Sequence, residues 1–168
     1  MKRKLIALRH GEAEKGFGIE DFDRALALRG YAEVELVAKW LLREGHVPDL
    51  ILGSSAERAA ATAFHAGRIL KLDETRITVD QSLYLASKTI LLNLVYELPE
   101  ESNCVMIVGH NPGLEDFVSF VGGYDRFAKA GGELMTATVA CLEFEGEWAE
   151  IVSALPILKF LKRTIDVV

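Results

Sequence analysis

The apolar residues of this chain change period repeatedly, from short unbroken runs to helical spacing and back, which restricts the fold to alternating strands and helices. Leu5-Ile6-Ala7-Leu8 is a continuous apolar run, read as a strand buried on both faces. Val34, Val37, Ala38 and Leu41 then fall at i, i+3, i+4 and i+7, one stripe of a helix that closes near Gly45. Pro48 separates that helix from a second strand, Leu50-Ile51-Leu52. Ser54-Ser55 signals a helix start, and Ala59, Ala63, Ala66 and Leu70 continue its stripe. Ile77-Thr78-Val79 reads as a short strand, and Ser87 caps a third helix whose Leu91, Leu94, Val95 and Leu98 share one face until Pro99. Residues 104–108 form the clearest strand. Asn111-Pro112 after it pairs a favoured N-cap with proline at the first helical position, opening a helix from 114 to 121 that Gly122-Gly123 ends. Residues 136–144 and 148–155 are β-rich and joined by the hairpin signal Glu145-Gly146-Glu147. The resulting sheet is mixed, parallel in its centre and antiparallel at one edge.

With 168 residues, 50% of them hydrophobic and 26% charged, the chain is expected to form a single domain over 1–168, and it carries no repeat or linker. No apolar run reaches the roughly 18 residues of a membrane span, and the N-terminal apolar stretch is too short for a secretory signal, so a cytoplasmic protein without membrane partners is expected. Cys104 and Cys141 each sit in an apolar β-like run and read as two buried thiols rather than a disulfide or zinc ligands. Nineteen Lys plus Arg against 25 Asp plus Glu leave a net charge of -6, which argues against nucleic acid as a partner. Any anion must therefore be met by a local cluster of positive charge.

That cluster lies where the strands end. In an open parallel sheet, ligands bind beyond the carboxyl ends of the strands. The first strand runs into Arg9-His10-Gly11, the second into Ser54-Ser55-Ala56-Glu57-Arg58, and the fourth into Gly109-His110-Asn111-Pro112. Helices beginning at Ser55 and Asn111 would aim free N–H groups at the same rim, with Arg58 in the first turn of one of them. Guanidinium groups match phosphate oxygens, His110 adds a donor, and His10 remains as a neutral imidazole able to attack phosphorus. This constellation is a site for covalent phosphoryl transfer that asks for no metal or other cofactor.

These segments, together with Asp23-Arg24-Ala25-Leu26, Arg29-Gly30, Thr62-Ala63, Leu83-Tyr84 and Gly113-Leu114-Glu115, resemble the histidine phosphatase superfamily, also called phosphoglycerate-mutase-like, and within it the compact SixA-type phosphohistidine phosphatases. The resemblance spans positions 8 to 115. It implies a three-layer α/β/α sandwich, with His10 as the nucleophile that becomes phosphohistidine and Arg9, Arg58 and His110 holding the phosphoryl oxygens. Gly11 and Ser55 are further candidate substrate-binding residues.

Three departures from the family pattern stand out. Ser54-Ser55 replaces a common Ser-Pro, and Ala61-Thr62 replaces Gln-Thr. Many members also carry a Glu after the strand following the second arginine, as proton donor to the leaving group, whereas this chain reads Asp80-Gln81-Ser82-Leu83-Tyr84-Leu85. An alkoxide needs such an acid, but a phosphohistidine imidazole takes its proton from solvent near neutral pH. The missing acid therefore favours protein phosphohistidine as the substrate, unless Glu12, Glu14, Asp23, Glu115 or Asp116 folds over the site. The alternatives are a small-molecule phosphomonoesterase and a non-hydrolytic phosphate-binding or phosphocarrier module. His46, His65, Trp40 and Trp148 read as packing or surface residues, and Glu143, Glu145, Glu147 and Glu150 as the solvent face of the edge hairpin.

Overall fold

The computed structural model describes residues 1–168. Strands β1 (Lys2–Arg9), β2 (Leu50–Ser54), β3 (Ile77–Asp80), β4 (Cys104–Gly109), β5 (Val139–Glu145) and β6 (Ile157–Lys162) form one sheet in the order β3-β2-β4-β1-β5-β6. The first four of that order pair in parallel, and β5 and β6 add antiparallel. Helices α1 (Leu28–Arg43) and α2 (Glu57–Ile69) cover one face, and α3 (Lys88–Tyr96), α4 (Gly113–Gly122) and α5 (Tyr124–Lys129) the other. The chain is a three-layer α/β/α sandwich.

The alternation of the central strands explains both layers. Leu5 and Ala7 of β1 and Val105 and Ile107 of β4 pack beneath α3 to α5, with Leu91, Val95, Leu114, Phe117 and Val118. Ile6, Leu8, Met106 and Val108 point the opposite way, onto Val34, Val37, Leu41, Ala59 and Ala63. Burying each of the larger side chains is worth about 1.5–3 kcal/mol. Helix α1 ends as expected: Gly45 takes φ 73°, and His46 N–H donates back to Leu41 O at 2.8 Å. Ser87 caps α3, its Oγ accepting from Ile90 N–H at 3.3 Å.

Three expectations are corrected. Residues 148–155 do not form a strand. A reciprocal capping box between Glu147 and Glu150 closes a 3-10 turn over Trp148–Glu150, and the buried Trp148 indole N–H donates to Ser102 O at 2.9 Å, beneath the guanidinium of Arg3. Burying that indole with its polar handle satisfied outweighs the β-propensity of the run, so the hairpin partner is β6, beyond Pro156. The helix starts also differ. Ser55 caps nothing; Ala56 occupies the N-cap of α2, and Ser54 Oγ accepts from Ala56 N–H at 3.2 Å. Helix α4 follows Pro112 rather than Asn111, whose side-chain amide is drawn to Leu134 O at 2.8 Å. Finally, β6 is the edge and β5 is interior to the sheet, so Glu143 is half-buried, its carboxylate set among Lys2, Lys4 and Lys159 at 3.2, 4.0 and 3.9 Å. Helix α5 was unforeseen, because Gly123 at φ 90° redirects the chain into a second helix instead of ending regular structure.

Gly113 is the tightest joint between layers, since a Cβ there would overlap the carbonyl of Ala86. Gly113→Ala is therefore expected to lower stability by about 3 kcal/mol, seen as a lower urea midpoint at unchanged slope. An unchanged midpoint would show that the segment leading into α3 yields freely.

Candidate active site

Strands β2, β4 and β1 lie side by side, so their carboxyl ends bring Ser54, His110 and His10 to one rim. His10 N–H continues the ladder to Gly109 O at 3.1 Å, and the two imidazole centroids stand 5.1 Å apart. Arg58, in the first turn of α2, reaches between them. A cleft of about 300 Å³ is lined by Arg9, His10, Glu12, Arg24, Arg58 and His110, with Leu85 at its side. All four predicted catalytic residues are thus together.

Hydrogen bonding fixes which nitrogen of His10 is available. Its Nδ1 lies 2.7 Å from Gly11 O, which can only accept, so Nδ1 carries the proton and Nε2 keeps its lone pair. Arg58 Nε–H donates to that Nε2 at 3.3 Å. The guanidinium presents its Nε–Nη2 edge to the histidines, with Nη2 3.4 Å from His110 Nδ1, and is held from behind. Nη1 donates to Asp21 O at 2.6 Å and Nη2 to Asp21 Oδ2 at 3.0 Å. Tyr84 O–H donates to the same Oδ2 at 2.5 Å, and Arg24 Nη1 to Oδ1 at 3.1 Å. Those bonds, Tyr84 first, hold the Asp21 carboxyl down at about 2. Arg9 donates through Nη1 to Leu134 O at 2.9 Å, while its buried Nε has no partner.

Two candidate binding residues are not in place. Gly11 N–H is already committed to Thr62 Oγ1 at 3.0 Å, and Thr62 in turn donates to Arg58 O at 2.7 Å. Ser55 does not line the cleft, and its N–H donates to Asp80 O. Its neighbour Ser54 reaches the site instead, with Oγ 2.8 Å from His110 Nε2. Asp21, Arg24, Ser54, Thr62 and Tyr84 were not predicted as site residues. Arg24, Thr62 and Tyr84 lie in segments that carry the resemblance, whereas Asp21 lies in the stretch 11–27, which shows no apolar period and whose length is the one signal for it.

No family model matches the chain. Among solved structures, a protein assigned as the phosphohistidine phosphatase SixA from Agrobacterium tumefaciens superposes with TM-score 0.80 at 28% identity, covering 95% of this chain and 97% of that one. The chain belongs to the SixA-type histidine phosphatase superfamily. A counterpart from Nakamurella multipartitia superposes at TM-score 0.81 with 24% identity, covering 97% and 96% of the two chains, and agrees in fold. An uncharacterized chloroplastic protein of Arabidopsis thaliana is 30% identical over 161 residues, which cover 89% of this chain and 71% of that protein.

In this SixA-type chain the candidate acids are mostly occupied or remote. Glu115 Oε2 accepts from Leu134 N–H at 2.9 Å and from the Asn111 amide at 3.2 Å, so it braces the loop beside the cleft. Glu14, Asp23 and Asp116 are exposed and do not line the cleft. Glu12 alone lines it, paired with Arg29 at 3.3 Å. Leu85 lines it too, at φ 50°. His46 and His65 lie elsewhere, beside Trp40 and Tyr31 respectively. Burial pushes both cysteine thiols up to about 12, and no helix is long and apolar enough to cross a membrane.

Burial, reinforced by neighbouring positive charge, depresses His10 to about 4 and His110 to about 3. Both stay neutral in the fold while unfolded histidine titrates near 6.5. The unfolded state therefore binds more protons below that pH, and stability present above 6.5 drains away as pH falls toward 4. The urea-derived stability is expected to fall between pH 6.5 and 5 by up to about 1.4 kcal/mol per pH unit for each such histidine. His10→Asn should flatten that slope, and an equal slope in the variant would refute the assignment.

Proposed function

We propose that this protein is a phosphatase that works through a covalent phosphohistidine on His10, and that its substrate is phosphohistidine on another protein. The observation that carries this reading is the His10 Nε2 lone pair facing a cleft where Arg58, Arg9, Arg24 and His110 gather, with Glu12 the one carboxylate in its lining. The lone pair attacks phosphorus, a bond forms from Nε2 to phosphorus, and the bond from phosphorus to the substrate imidazole breaks. Arg58 re-aims its Nε–H from Nε2 to a phosphoryl oxygen, where the guanidinium stabilises the charge of the transferring group. The departing imidazole takes its proton from solvent. Water then attacks phosphorus, the bond to Nε2 breaks, and inorganic phosphate leaves with His10 restored.

The acids support this choice of leaving group. Asp21 is held ionised, and Glu12, the one candidate acid lining the cleft, is paired with Arg29, so the cleft offers little to an alkoxide. SixA solved with tungstate, an oxyanion of phosphate-like shape, matches this fold at TM-score 0.80 with 20% identity, which makes tungstate a natural probe here. Incubation with a phosphohistidine protein labelled in its phosphoryl group should release labelled inorganic phosphate, faster than from sugar or nucleotide phosphates at equal concentration. Preference for the esters would select a small-molecule phosphomonoesterase. Stable label on His10 without release would select a phosphocarrier.

A further inference from the structure

The role of His110 raises a question of proton placement. Its burial keeps the imidazole neutral, and a neutral imidazole has a single N–H to donate. Its Nδ1 stands 3.4 Å from Arg58 Nη2, which can only donate, so here Nδ1 accepts and the proton sits on Nε2. In that state the ring has nothing to offer a phosphoryl oxygen. The group at its other end changes this. Ser54 is fully buried, and its Oγ has two partners, the Ala56 N–H at 3.2 Å and His110 Nε2 at 2.8 Å. Ala56 N–H is a donor, so the one acceptor within reach of the Ser54 hydroxyl proton is Nε2. With the proton on Nε2, that hydroxyl is a buried donor without a partner, an arrangement that costs free energy.

We propose that Ser54 is a positioning residue that sets the tautomer of His110: when a phosphoryl group enters, the hydroxyl rotates to donate to Nε2, and the ring carries its proton on Nδ1 toward a phosphoryl oxygen. This rests on the phosphoryl group sitting between Arg58 and His110, as in the proposed function. An oxygen placed there gives Arg58 Nη2 an acceptor in place of Nδ1, so every donor of the Ser54–His110–Arg58 chain is satisfied at once. Without the oxygen the Ser54 hydroxyl is left over in one tautomer, and both Nδ1–H and the facing Arg58 N–H in the other. The oxyanion therefore selects the tautomer, and the site recruits a neutral histidine as donor without protonating it.

The test is nuclear magnetic resonance of the protein with ¹⁵N-labelled histidine at pH 7, with and without saturating inorganic phosphate. His110 is expected to move from Nε2–H to Nδ1–H on phosphate binding. A phosphate complex with the proton still on Nε2, or with a doubly protonated ring, overturns the Ser54 role while leaving the phosphatase reading intact. No phosphate-induced change at either His10 or His110 overturns both. In kinetics, Ser54→Ala should lower kcat about tenfold with little change in KM, and Ser54→Thr, which keeps the hydroxyl, should recover most of the loss. If Ser54→Ala shows the same phosphate-bound tautomer as the native chain, the proposal fails whatever the rate. Retained activity in His10→Ala overturns the phosphatase mechanism alone, because the tautomer is read at equilibrium.

Discussion

His10→Ala is expected to reduce phosphohistidine turnover by a factor on the order of 10³ or more, the largest effect of any single substitution in this chain. The loss is chemical rather than structural. His10 makes one side-chain hydrogen bond to the backbone, at its own neighbour Gly11, so its removal leaves the strand ends and the Arg58 to Asp21 contacts intact. The variant should therefore fold, and inorganic phosphate should still bind through Arg58. The covalent intermediate gives a second readout. Native protein quenched during turnover with a labelled substrate should carry acid-labile phosphate on one histidine, and His10→Ala should carry none. Turnover above about a tenth of the native rate would sink covalent catalysis by His10.

The chemistry of the site was legible in sequence to the extent that it follows from strand ends. His10 and Arg9 adjoin β1, His110 adjoins β4, and Arg58 lies four residues past β2, so reading the strands was enough to bring them together. The residues that hold them were not legible, because each contact closes over a long separation. Asp21 meets Arg58 across 37 positions, Thr62 meets Gly11 across 51, and Ser54 meets His110 across 56. No local period encodes such pairs.

The fold shows the same division. Buried strands and amphipathic helices announce themselves by period, and all were found through residue 121. In the last third β5 lies within the expected run, but residues 148–155 differ because Trp148 satisfies its β-like pattern in another way, by burying its ring against Arg3 and Phe144. The Ser54-Ser55 signal marked the right turn but the wrong role: Ser54 faces inward to Ala56 and His110, leaving Ala56 at the helix start.

Arg58→Ala is expected to cost a factor of about 10³ in kcat/KM, the upper end of the 10² to 10³ of one lost oxyanion donor. The size of the loss has a specific source. Asp21 stays behind, still held by Tyr84 and Arg24, and its carboxylate, no longer neutralised by the guanidinium, repels the incoming phosphoryl group. Arg58→Lys keeps a positive charge but loses the planar fork that spans both histidines and Asp21, so a loss of about 10² is expected. The substitution also has a titration signature. The charge of Arg58 helps to depress both His10 and His110, so Arg58→Ala should raise His10 from about 4 toward 6.5, moving the acid limb of the pH profile upward. A limb that stays near 4 would mean that burial alone sets it. The double variant Arg58→Ala/Asp21→Ala separates the two contributions: removing the stranded carboxylate should return part of the lost kcat/KM. A double variant slower than Arg58→Ala would show that Asp21 does more at this site than hold the arginine.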